Sequence, residues 1–261
     1  MRLFLVIGET PFYVPEFVRD LMDLTGEQDD WVGAAVITKV PEKGDIELYL
    51  KRNWRFLRPT EIAKLAAHKY LAMLKDKFLG ARSNVSFYSV RKLLTVRGVG
   101  WFPVEMDINR PEVVARIAAM RPDVIVNSGS LIFREPIFKV PKICCLNRHS
   151  ALLPAYGGLW PVFHAYRAGE TEVGVSASIM VAGIDEGPVL AQRAMPIEPM
   201  DTLYDLYEKT FKASAPVVAE ALDRVRRGDL SGIENDYMRS YYSFPTADHW
   251  RAFRRRGGRF I

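Results

Sequence analysis

The sequence predicts an α/β fold: a mostly parallel, twisted sheet with helices on both faces and a small C-terminal extension. Two observations carry that prediction. The chain opens on a strand–helix–strand rhythm. Arg2–Gly8 is an apolar run ended by glycine, residues 15–24 repeat apolar side chains at helical spacing (Phe17, Val18, Leu21, Met22, Leu24), and residues 32–38 are rich in β-branched residues. A unit of that length joins parallel strands through a right-handed crossover. The rhythm then returns after Trp101, with strands at 103–105, 123–127 and 143–146. Between the first two lies a helix with Asn109 as its expected cap, a proline beside its first turn, and Pro122 to end it.

Composition bounds the rest. With 261 residues, 49% hydrophobic and 26% charged, the chain can bury a full core as an ordinary globular protein. No apolar run approaches the ~18–20 residues that span a bilayer. Met1–Gly8 is too short and too soon polar for a signal peptide, so a cytoplasmic protein with no membrane partner is expected. Cys144 and Cys145 are adjacent within an apolar run, which suits buried packing thiols rather than a disulfide or a metal pair. The net charge of +5 is local: without the five arginines of residues 251–261, the 36 basic residues fall to 31 and equal the 31 acidic ones. That tail reads either as a solvated or loosely docked segment or as a phosphate contact.

The expected organisation is a catalytic domain over 1–200 with an insertion at about 41–100, then a C-terminal helix and basic tail over 201–261. Within the insertion, residues 45–50 alternate like an exposed strand and residues 59–79 have helical spacing, with Thr60 near the cap. His68 on that helix suits a surface or core position. Lys51, Arg52, Arg55, Arg58, Arg82, Arg91, Lys92 and Arg97 mix with Trp54, Phe56, Phe87 and Tyr88. Such a mixture fits a nucleotide or RNA partner, or a charged face over an aromatic core. Residues 173–182 and 189–197 read as strands. A helix over 201–227 should kink or split at Ala215-Pro216, and residues 239–244 look extended. No glycine-rich phosphate loop follows the first strand.

The chemistry centres on Ile143-Cys-Cys-Leu-Asn-Arg-His-Ser-Ala-Leu-Leu-Pro-Ala-Tyr-Gly-Gly158. An extended chain alternates its side chains, so Asn147 and His149 point the same way at the end of a strand and can act on one atom. Pro154, Gly157 and Gly158 break regularity before a helix over 161–168 that Gly169 stops. Farther on, Asp185 lies in a turn between Gly183 and Gly187. An amide donor, an imidazole and a carboxylate that orients it suit acyl transfer.

Asn147-x-His149, Leu152-Leu153-Pro154-x-Tyr156-x-Gly158, Ala165-x-x-x-Gly169-Glu170, Gly174-Val175-Ser176 and Asp185-x-Gly187-Pro188 occur in that order. Together they resemble the formyltransferase family that uses 10-formyltetrahydrofolate, which includes methionyl-tRNA, glycinamide ribonucleotide and sugar N-formyltransferases. The resemblance is close over roughly 103–196. It implies a Rossmann-like formyltransferase fold, with Asn147, His149 and Asp185 catalytic and no metal. It also implies a folate contact at Ser130, Leu131, Ile132, Val181, Gly183 and Ile184, largely through backbone groups. Tyr156, Gly158, Trp160 and His164 are the expected acceptor contacts. The sequence departs from the usual family pattern at Ser150-Ala151, at Gly157, where many members carry arginine, and at Ser178. Few residues follow Ile197 and the body is neutral, so a tRNA acceptor is disfavoured and a small nucleotide-linked amino sugar is the expected acceptor amine. Formylation of glycinamide ribonucleotide or another amine, hydrolysis of the formyl folate, and non-catalytic folate or nucleotide binding stay open, as does a homodimer.

Overall fold

A computed structural model of the chain describes residues 1–10, 12–78 and 89–261, leaving aside the side chain of Asp76. Pro11, Leu79, Arg82, Phe87 and Tyr88 fall outside the described residues. In chain order, β1 (Arg2–Gly8), α1 (Val14–Thr25) and β2 (Asp30–Lys39) form the opening unit. The stretch after it holds α2 (Ile46–Arg52), α3 (Pro59–Phe78) and α4 (Val90–Val96). Next come β3 (Trp101–Glu105), α5 (Pro111–Ala119), β4 (Val124–Ser128), α6 (Glu135–Phe138) and β5 (Cys144–His149). The remainder is β6 (Gly157–Gly158), α7 (Pro161–Ala168), β7 (Glu172–Ile179), β8 (Val189–Pro196), α8 (Leu203–Arg226), β9 (Tyr241–Tyr242) and α9 (Ala247–Arg255).

The main sheet has seven strands in the order β3-β2-β1-β4-β5-β7-β8, parallel from β3 to β5 and antiparallel at β7 and β8. β1 is central and buried on both faces, so its side chains divide by alternation. Leu3, Leu5 and Ile7 meet Phe17 and Leu21 of α1, Leu93 and Leu94 of α4, and Val218 and Leu222 of α8. Phe4 and Val6 join Ile117 of α5, Val104, Ile108 and Leu131 on the other face. Each fully buried side chain of this size contributes about 1.5–3 kcal/mol, enough to make the sheet a rigid platform for what projects from its strand ends.

A third cluster lies beyond the sheet, where α7 packs against α9. Trp160 and Phe163 meet Trp250 and Phe253, and Tyr49, Leu50, Phe56 and Phe260 close around them. Here the expected exposed strand at 45–50 is instead the helix α2. Asp45 caps it by accepting from the Leu48 amide at 2.9 Å, and Lys51 pairs with Glu47 one turn away. The alternation was that of a short helix whose Tyr49 and Leu50 pack inward.

Other expectations change as well. α8 runs unbroken through Pro216 rather than splitting. Burial of Ala215, Val217, Val218, Ala221 and Leu222 against the sheet outweighs the ~3 kcal/mol that an interior proline costs. Asn109 does not cap α5, whose cap position is Arg110; its amide accepts from the Arg134 N–H at 2.7 Å and donates to the Ile132 carbonyl at 2.8 Å. The basic tail is not loosely solvated. α9 begins with a Thr246 capping box, and Arg256 donates to the last carbonyls of α7, those of Arg167 and Ala168.

Arg254 grips Glu61 with two nitrogens at 2.6 and 2.7 Å, and the Phe260 amide adds a third donor at 2.8 Å. Glu61 is buried, so its charge depends on these partners. Burial alone would raise the Glu61 carboxyl, but donation from Arg254 and from the amides of Phe260 and Arg58 outweighs it and holds the group below its ordinary value. The stabilisation is therefore complete above the unfolded-state carboxylate value and is lost as pH falls through the depressed folded value. Glu61→Gln should cost about 3 kcal/mol at neutral pH. In denaturant unfolding at stepped pH the two proteins should converge in acid; a gap that persists there would mean the carboxylate charge is not its source.

Candidate active site

The site forms where β4, β5 and the β7–β8 turn end together. β5 pairs with β4 on one side and β7 on the other, with Asn147 opposite Asn127 in parallel register. Asn147 and His149 share one face. Arg148 between them points to the other, where its guanidinium lies 3.8 Å from the Phe211 ring centre and its Nε donates to Ser214 at 2.7 Å.

Each group of the site has its orientation set by a neighbour. The buried Asn127 donates Nδ2 to the Asn147 Oδ1 at 2.8 Å, while its own Oδ1 accepts from the Gly129 amide at 3.1 Å. The Asn147 oxygen is thereby used, which leaves its Nδ2 to donate to Asp185 Oδ1 at 3.3 Å. His149 Nε2 lies 3.2 Å from the Tyr156 carbonyl and must donate to it, since a carbonyl only accepts. Its Nδ1 faces the same Asp185 Oδ1 at 3.7 Å. The other carboxylate oxygen, Oδ2, accepts from the Gly158 amide at 2.8 Å. Asp185 and His149 are 8% and 12% exposed at their side chains, so the pair is largely shielded yet reachable. The three side chains named from the sequence thus meet at one oxygen.

The loop that supplies Tyr156 O and Gly158 N–H is held from outside the sheet. β6 pairs in parallel with β9. Ser240 Oγ accepts from the Tyr156 amide and Ser240 O from the Gly157 amide, both at 2.9 Å, and Tyr242 O accepts from the Leu159 amide at 2.8 Å. Gly158 has φ 90°, and a side chain there would collide with the Tyr242 carbonyl and the Tyr241 ring. A methyl group on Gly157 would make ordinary van der Waals contact with Asp185 and Ser240, both at 3.4 Å. Asp185 itself sits at φ 55°, a left-handed conformation that Asp tolerates better than most residues.

The remaining expected contacts divide. Ser130 and Ile132 are exposed at the end of β4 while Leu131 is buried. Val181 and Ile184 are exposed and Gly183 half-buried in the β7–β8 turn. Tyr156 is half-buried, and its hydroxyl donates to Glu170 at 2.5 Å. Trp160 is buried, 5.7 Å from Phe163 and 6.1 Å from Trp250 between ring centres, and offers no open face. His164 is wholly buried: Nε2 donates to the Ser243 carbonyl and Nδ1 accepts from Arg167 Nε, both at 2.9 Å. Burial pushes its pKa down to about 4, so the ring stays neutral and does not face the cleft. Cys144 and Cys145 are free and buried, and burial raises both thiols. No group of three or more His, Cys, Asp or Glu side chains among the described residues could hold a metal ion.

Asn127, Arg239 and Ser240 were not anticipated from the sequence. Asn127 had a signal, since a polar residue closes the apolar run beside Asn147. Arg239 and Ser240 reach the site only through tertiary pairing. A cavity of about 380 Å³ opens on Asp185, bounded by Pro154, Gly157, Ile184, Glu186, Arg239 and Ser240.

The open α/β sheet is shared with two groups of solved structures. Glycinamide ribonucleotide transformylase 1 from Symbiobacterium toebii aligns with 87% of this chain and 89% of its own, at TM-score 0.60 and 18% identity. A sugar N-formyltransferase from Shewanella sp FDAARGOS_354 aligns with 97% of this chain and 87% of its own, at TM-score 0.58 and 15% identity. The sequence pattern of the formyl transferase family matches residues 70–222, so the chain belongs to that family. Methionyl-tRNA formyltransferase from Synechococcus sp. (strain JA-3-3Ab) is 37% identical over 134 residues, 51% of this chain and 42% of that protein. The chain therefore spans less than half the length of that curated relative.

The Asn127 bridge is testable. Asn127→Ala removes a buried amide and leaves the Asn147 oxygen and the Gly129 amide without it, which should cost about 1–3 kcal/mol in denaturant unfolding. Asn127→Asp, which cannot donate to Asn147, should cost at least as much. Two near-neutral variants would mean that something else orients Asn147.

Proposed function

We propose that this chain transfers a formyl group from 10-formyltetrahydrofolate to a primary amine, foremost that of a nucleotide-linked amino sugar. The observation that carries the reading is the convergence of Asn147, His149 and Asp185 on one point, with the amide orientation of Asn147 set by Asn127. In acyl transfer the amine nitrogen bonds to the formyl carbon, the carbon–nitrogen bond to the leaving group breaks, and negative charge gathers transiently on the formyl oxygen. The Asn147 amide is one donor for that oxygen, and the Nδ1–H that His149 carries as imidazolium is the other. Asp185 takes the proton from the attacking amine and returns it, through a water, to the leaving nitrogen.

The residues fit a folate. Ile132, Val181 and Ile184 are 58%, 40% and 46% exposed on loops that follow β4 and β7, and apolar side chains open to solvent suit the face of a flat ring. Bound there, 10-formyltetrahydrofolate supplies the activated one-carbon group, while this chain positions, polarises and moves the proton.

For the acceptor, the cavity of about 380 Å³ on Asp185 has the volume of a small-molecule site. The tail arginines do not offer the continuous basic surface that a tRNA needs. Arg254 is spent on Glu61, Arg256 on α7 carbonyls and Arg259 on the Met200 carbonyl. The sequence similarity to a methionyl-tRNA formyltransferase keeps formylation of charged tRNA as the second reading.

His149→Asn and Asp185→Asn should each fold normally and lose at least ~100-fold in formyl transfer. Near-native turnover in both would remove these residues from the mechanism. Side-by-side turnover of a nucleotide-linked 4-amino sugar and of methionyl-tRNA with one formyl-folate donor tests the acceptor. The sugar should react far faster, and preference for the tRNA would overturn this choice.

A further inference from the structure

We infer that Arg239 is the anion anchor of the acceptor site, binding the diphosphate of the substrate, and that the carboxylate of Glu186 holds the anchor in place until that anion displaces it. The inference rests on the amine-acceptor reading above and adds the group that recognises the charged end of the acceptor.

Arg239 borders two neighbouring cavities, of about 380 and 210 Å³, that share Pro154, Asp185, Glu186 and Arg239 itself. Among the described residues it is the single cation that bounds either space, where Asp185 and Glu186 also stand. An acceptor whose amine reaches Asp185 therefore meets one site of positive charge along the cleft. The position of that charge is built into the backbone. Ser240, the next residue, donates its amide to the Pro154 carbonyl at 3.2 Å and accepts from the Tyr156 and Gly157 amides, both at 2.9 Å. Pro154–Gly158 is the same loop whose Gly158 amide holds the Asp185 carboxylate. The backbone that carries the anchor and the loop that holds the proton acceptor thus belong to one hydrogen-bonded unit.

The pairing with Glu186 suits exchange. Arg239 and Glu186 are ion-paired with side chains 63% and 41% exposed, and an exposed pair of this kind contributes little to stability. A guanidinium presents a planar fork that matches phosphate oxygens bidentately, and a diphosphate brings more charge than one carboxylate. The carboxylate neutralises the cleft while it is empty and yields to the stronger partner. Glu186 directly follows Asp185, so its release also frees the turn that carries the proton acceptor.

Inorganic pyrophosphate is the probe, titrated calorimetrically at fixed ionic strength so that general screening is constant. Arg239→Ala should weaken its binding at least ~tenfold, Arg239→Lys should fall between, and Glu186→Gln, which removes the competitor, should tighten it. Wild-type affinity in Arg239→Ala, or weaker binding in Glu186→Gln, would overturn the inference. Should Arg239→Ala fail to fold, the Glu186→Gln titration decides. A formyl-transfer assay with a phosphate-free amine separates the two readings. In Arg239→Ala the loss in kcat/KM should be at least ~tenfold larger for a diphosphate-bearing amine than for that phosphate-free amine; an equal loss in both would make Arg239 a structural support and overturn the anchor. If no amine is formylated by the wild type while the pyrophosphate results hold, the anchor stands and the transfer reading falls.

Discussion

The rest of the site depends on the way one carboxylate is held. Asp185 accepts hydrogen bonds from the Asn147 amide at Oδ1 and from the Gly158 amide at Oδ2, and His149 Nδ1 lies 3.7 Å from Oδ1. Hydrogen bonds to a charged group contribute about 1.5–3 kcal/mol each, roughly twice a neutral one. Three different parts of the chain therefore agree on the place of a single group: the end of β5, the Gly-Gly loop and the β7–β8 turn. Because Asp185 adopts a left-handed backbone, the turn gains nothing locally from this shape and relies on those distant donors to keep it.

The same logic of borrowed support explains the charge. A surplus of arginines at the end of a sequence invites the idea of a nucleic acid partner. Here Arg254 and Arg256 are spent on Glu61 and on the carbonyl end of α7, and Trp250 and Phe253 bury beneath them. A buried carboxylate needs a matching cation and a helix end needs donors. Net charge counted along the chain could not distinguish those demands from an open surface. α2 and α9 are also joined directly, with the Trp250 indole donating to the Tyr49 hydroxyl at 2.7 Å.

Much of the sheet was legible because buried strands and amphipathic helices carry their period in the sequence. Asn147 and His149 were legible for the same reason: alternation alone puts both on one face, and Arg148 on the other bears it out. What resisted reading has a common cause. At Asp45 a six-residue window could not separate a capped helix from a strand. At Pro216 local propensity pointed to a break that packing overrode. His164 and Trp160 looked available beside a glycine turn, but the partners that bury them, Ser243 and Trp250, lie some 80 to 90 residues away in sequence. Arg239 and Ser240 have no local pattern because their role exists only once β9 meets β6.

That last pairing has a consequence for synthesis. β6 is made long before β9, and the sheet through β8 has its strands before residue 241 leaves the ribosome. A nascent chain can thus complete its core while the loop beneath Asp185 still lacks the strand that shapes it. The loop that holds the Asp185 carboxylate takes its shape only once translation has passed Tyr242, so an interrupted chain would hold the sheet without the arrangement seen around Asp185.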